Sequence, residues 1–83
     1  MDKISVKGLA FGLGATWGIS MLLIGLLSIS GWGIRIVEVL SSLYIGFAPS
    51  FFGSLIGAVW GFVDGAIGGI IIALVYNAVV KKS

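Results

Sequence analysis

The chain has 83 residues, of which 59% are hydrophobic, 10% are charged and 14 are glycine, and its mean hydropathy is +1.22. Soluble domains carry about 25% charged residues, so this composition excludes most water-soluble folds and selects lipid as the medium. Histidine and cysteine are both absent, which removes His/Cys metal centres, thiol nucleophiles, catalytic triads and disulfides.

The net charge of +2 rests on lysines near the two ends rather than on a basic stripe, so nucleic acid is not an expected partner. No acid/base pair or nucleophile–base set can be assembled at one depth, so no enzyme activity, cofactor or metal is expected. The expected partners are the lipid bilayer, further copies of the chain and another membrane protein.

Residues 1–7 form a basic N-terminal segment with Lys3 and Lys7. An uncharged run of 27 residues follows, Gly8 to Ile34, and about 20 apolar residues suffice to cross a hydrocarbon core. A first transmembrane helix is therefore predicted over residues 8–31. It carries two rows of small residues at helical spacing. Gly8, Gly12, Thr16 and Ser20 make one, and Gly14, Gly18, Met21 and Gly25 the other.

Residues 32–49 read as an extracytoplasmic loop marked by Gly33 and Gly46, just after Gly31. Arg35, Glu38 and Ser41/Ser42 recur at three- to four-residue spacing opposite Ile36, Val37, Leu40 and Leu43, the pattern of a short interfacial amphipathic helix; the spacing leaves open whether residues 34–46 lie on the membrane surface or dip into it as a re-entrant segment. Arg35 and Glu38 are then placed to pair at i,i+3, a bond worth a few tenths of a kcal/mol on an exposed helix. Trp32, Tyr44, Phe47, Phe51 and Phe52 fall at this end of the spans and Tyr76 at the other, where interfacial aromatic anchors belong.

Pro49 and Ser50 offer a helix start, and a second span is predicted over residues 50–79. Gly53, Gly57, Gly61, Gly65 and Gly69 stand at strict four-residue spacing within it, with Gly68 added. An i+4 row drifts about 40° per step, so a partner helix must cross along it. This is a helix-packing face, of the kind that brings backbones together in lipid.

Taking Gly53 as zero, Asp64 lies at about 20°, among the early glycines of the row, and near mid-span. A carboxylate at a helix centre costs on the order of 2.5–3.5 kcal/mol to insert, so Asp64 must face a neighbour or water. Thr16, Trp17 and Ser20 of the first span are level with it, and Trp60 precedes it by one turn. These residues and Asp64 form the candidate intramembrane polar site. Its expected roles are an interhelical hydrogen-bonding post, a hydrated pore lining or a proton- or cation-exchanging carboxylate.

Residues 80–83 form a basic tail with Lys81 and Lys82. Lysines at both ends and a lysine-free loop give a two-span helical hairpin in the cell (inner) membrane with both termini cytoplasmic. A signal peptide ending near Ser28-Ile29-Ser30 is the competing reading of the N-terminal third, although its apolar stretch exceeds the usual 7 to 15 residues. Two small-residue rows on the first span exceed what one hairpin needs, which predicts a homo-oligomer.

The blocks Thr16-Trp17-Gly18, Gly31-Trp32-Gly33, Val37-Glu38-Val39, Ser42-Leu43-Tyr44-Ile45-Gly46 with Pro49-Ser50, Gly53-Ser54-x-Ile56-Gly57-Ala58-x-Trp60-Gly61-Phe62-x-Asp64-Gly65, Gly68-Gly69 and Tyr76-Asn77 resemble small prokaryotic membrane-associated proteins of the bacteriophage holin-like type. The resemblance implies a self-associating inner-membrane protein that forms lesions releasing a cell-wall hydrolase. A second likeness is to the proton-carrying ring subunit of rotary ATP synthases, also a glycine-rich hairpin with a carboxylate midway along its second helix. Here only Gly12 and Gly14 alternate in the first helix, and the loop is long and apolar rather than short and polar.

Overall fold

A computed structural model describes residues 2–82 as three helices, α1 Val6–Ser28, α2 Ile34–Leu40 and α3 Phe51–Lys82, with no strand among the described residues. Met1, Ser83 and the side chain of Lys82, which belong to the two basic ends, lie outside the described residues. Two helices are long and apolar enough to cross a membrane, and a short helix connects them.

Each boundary has a local cause. The Ser5 hydroxyl accepts from the Gly8 amide and caps α1. After Ser28 the chain makes a turn in which the Ile29, Ser30 and Gly31 amides donate to Leu26, Leu27 and Ser28 carbonyls. Gly33, at φ 70°, then opens α2 in the left-handed region, where a side chain would be strained. The hydroxyls of Ser41 and Ser42 bond back to the Glu38 and Val39 carbonyls at the end of α2. Gly46, at φ 94°, redirects the chain towards Ser50, whose hydroxyl accepts from the Gly53 amide and caps α3.

α1 and α3 lie antiparallel. Gly25 meets Ser54, Gly18 meets Ala58, Gly14 meets Phe62, and Gly69 meets Leu9 and Ala10. Beyond them the Asn77 amide makes two hydrogen bonds with the Ile4 backbone, at 2.8 and 3.0 Å. The molecule measures 49 × 18 × 18 Å, and 32 helical residues account for about 48 Å of that length. The connecting segment therefore folds back along the helix pair rather than projecting from its end.

That return path explains the glycine row. Because the row drifts about 40° per step, its first members face one neighbour and its later members another. Gly53 and Gly57 lie against Ala48 and Phe47 of the returning segment, whereas Gly61, Gly65 and Gly69 lie against α1. A Cβ at Gly61 would stand 2.9 Å from the Trp17 carbonyl oxygen, and one at Gly69 2.6 Å from that of Leu9. From α1, Gly14 and Gly18 present the same 2.9 Å approach to the carbonyls of Phe62 and Ala58. At each of these positions the missing side chain lets the facing backbone come closer than a Cβ would allow.

The core cluster of Met21, Val37, Tyr44 and Phe47, flanked by Ile24 and Leu40, joins α1, α2 and the returning segment. The interfacial-anchor reading is thus corrected for Tyr44 and Phe47, which are 7% and 3% exposed. Trp32, Phe51, Phe52 and Tyr76 stay exposed. The most apolar windows of α1 and α3 are only 28% and 17% buried, so their hydrophobic side chains face outward, unlike those of a soluble core helix.

Candidate functional site

Asp64 stands close to the middle of α3, and Trp17 is the central residue of α1. Between them sits Tyr44, carried there by the returning segment. Its hydroxyl donates to Asp64 Oδ2 at 2.7 Å and accepts from Trp17 Nε1 at 3.2 Å. A directed chain, indole N–H to phenol O–H to carboxylate, joins α1, the connecting segment and α3 at one level. The indole N–H forces this polarity: it can only donate, so the phenol oxygen accepts from it and directs its own single proton to Asp64.

Two features hold Tyr44 in place. Trp60 stacks on its ring at 5.9 Å between centroids and 6° between planes, and the Trp60 indole donates to the Ile45 carbonyl at 2.9 Å. Phe47 lies in the space that a Cβ on Gly57 would occupy and packs against Tyr44 at 6.2 Å. Gly57 therefore admits Phe47, and Phe47 sets how deep Tyr44 reaches. Asp64 meets it because at about 20° it shares the face of Gly53 and Gly57.

The sequence-derived site is only partly assembled. Trp17 reaches Asp64 through Tyr44, and Trp60 contributes through the ring stack rather than as a donor to the acid. Thr16 and Ser20 do not bond to Asp64. Their hydroxyls return to the Gly12 and Thr16 carbonyls of their own helix, each at 2.8 Å, the usual recourse of such side chains inside a helix. Gly68 is not a packing glycine, since a Cβ there would meet nothing within 4 Å. Arg35 and Glu38 are exposed and form no ion pair.

Tyr44 is the functional residue that sequence reasoning missed. The available signal was the positive-φ position at Gly46 combined with unfilled space at Gly53 and Gly57, which together fold the segment inward.

The Asp64 side chain remains exposed beside the relay. No other hydrogen bond or ion pair reaches it within the described residues. It forms the shared wall of two grooves of about 340 and 300 Å³, the first lined by Trp17 and Gly68 and the second by Tyr44 and Trp60. No group of three or more metal-ligating side chains occurs among the described residues. Both of the main packing rows, Gly14/Gly18/Gly25 on α1 and Gly53/Gly57/Gly61/Gly65/Gly69 on α3, are consumed inside the chain. On the row Gly8, Gly12, Thr16 and Ser20 the first three residues are exposed and Ser20 is half-buried, and a Cβ on Gly12 would meet nothing within 4 Å.

Comparison of the chain with protein-family models, curated proteins and solved structures returned no match.

Proposed function

We propose that this chain is a small self-associating membrane protein in which several hairpins enclose a polar path beside Asp64, as in the holin-like proteins that its sequence resembles. The observation that carries this reading is the exposed carboxylate midway along an otherwise apolar helix pair, satisfied on one oxygen by Tyr44 and open beside it. In a bilayer spanned by α1 and α3, a lone hairpin would turn that carboxylate towards hydrocarbon, an expense relieved when neighbours or water cover it. Lysines at both ends favour a cytoplasmic location for the termini.

The open α1 row is the surface through which chains would meet. Gly12→Leu should then block assembly and leave the hairpin intact, whereas Gly61→Leu should break the hairpin itself. The test is reconstitution into liposomes carrying a potassium diffusion potential, together with native mass spectrometry in mild detergent. The expected result is oligomers and collapse of the potential above a threshold protein density, both lost in Gly12→Leu. Monomers that leave the potential intact would refute the pore. Recovery of one stoichiometric membrane partner instead would favour a non-conducting subunit that docks on a larger protein.

A further inference from the structure

We infer that the groove between Trp17 and Gly68 is a binding site for an amphiphilic organic cation, an onium or protonated amine with a bulky apolar body. The groove holds about 340 Å³ and is lined by Leu13, Trp17, Gly65, Gly68 and Ile72 beside Asp64. Asp64 supplies its single formal charge, and no lysine or arginine among the described residues pairs with that charge. On the side of the second groove the carboxylate is already engaged by Tyr44, which lines that groove. Asp64 lines both grooves, and the first is the one that Tyr44 does not line.

The chemistry of the walls selects the ligand class. A hard metal ion takes about six or more oxygen ligands, and this site offers one carboxylate amid hydrocarbon. An inorganic monovalent cation would shed its water and find nothing to replace it. An organic cation brings its own apolar surface, spreads its charge, and finds both Asp64 and the Trp17 indole in the groove wall, the indole being the side chain that best attracts quaternary ammonium groups. An anion of the same shape is repelled. The groove is complete in one hairpin, so the inference goes beyond the assembly reading and does not depend on it.

Tetraphenylphosphonium and tetraphenylborate, matched in shape and opposite in charge, are suitable probes for the full chain in lipid nanodiscs carrying Trp32→Phe to remove the remote indole. Equilibrium dialysis and tryptophan quenching should show saturable binding of the cation only. Asp64→Asn, which keeps an acceptor for Tyr44, should weaken it at least about tenfold through loss of the charge partner. Gly68→Leu, whose side chain enters space free of other atoms, should weaken it comparably while circular dichroism stays unchanged. Equal binding of both probes, or a cation affinity that neither variant moves, would overturn the assignment. Binding measured on the Gly12→Leu hairpin, in which assembly is blocked, separates failure of this site from failure of the pore.

Discussion

The Tyr44 hydroxyl donates a 2.7 Å hydrogen bond to Asp64 Oδ2 across 20 positions of sequence. That bond fixes where the connecting segment lies, because Asp64 is anchored near the centre of α3. Residues 34–50 thus fold back along the helix pair: α2 leads in from the end of α1, the chain turns at Tyr44, and it returns to the Ser50 cap. Non-helical backbone within a bilayer would need protein partners, and here Trp60 bonds the Ile45 carbonyl directly.

Tyr44→Phe should remove the donor to Asp64 and strand the Trp17 indole N–H. A hydrogen bond to a charged group is worth about 1.5–3 kcal/mol, so unfolding in mixed micelles should show a loss of that order. Combining it with Asp64→Ala should cost clearly less than the sum of the two single changes. Additive losses would mean that the two side chains are not coupled.

Glycines on the same helix should respond with opposite signs. Gly68→Ala gains helix propensity, up to about 1 kcal/mol, and meets no atom. Gly61→Ala gains the same propensity but drives a methyl group against the Trp17 carbonyl and the Gly18 Cα, so helix separation should outweigh the gain. Thermal unfolding followed by circular dichroism should raise the midpoint for the first and lower it for the second.

Trp60→Phe preserves an aromatic face for Tyr44 and deletes the donor to Ile45. Amide exchange should accelerate at Tyr44 and Phe47 while the α1–α3 interface keeps its protection. Uniform acceleration over the whole chain would show that Trp60 supports the hairpin rather than the returning segment.

At the opposite end, Asn77→Ala should free the Ile4 amide and carbonyl, which it now clamps with two hydrogen bonds. The expected loss is about 1–2 kcal/mol at most, confined to the first turn of α1. Exchange at Ile4 should rise, and exchange at Trp17 should not.

The helical hairpin was legible because its determinants are local: the uncharged run after Lys7, the Ser50 cap and the apolar stretch beyond it. Asp64 as the polar focus was legible too, from its place on the glycine face. Tyr44 was not, because counting residues from the span ends places it at the interface, and only the space left at Gly53 and Gly57 lets the chain double back. Thr16 and Ser20 shared the level of Asp64, but level alone does not set direction. Their hydroxyls had an acceptor one turn away on their own helix and took it.

The site requires that the turn at Tyr44 lie level with Asp64 near the middle of α3, which in a bilayer spanned by α1 and α3 means well below the surface. The chain contains no cysteine, so single cysteines at Leu43, Ile45, Val63 and Trp32, all exposed, can each carry a nitroxide without competing thiols. Electron paramagnetic resonance in liposomes, comparing collision with oxygen against collision with a water-soluble nickel complex, reports the depth of each label. The expected result places labels at 43 and 45 close to the depth of the label at 63, with the label at 32 near the surface. Labels at 43 and 45 that report the same shallow depth as 32 would contradict the account.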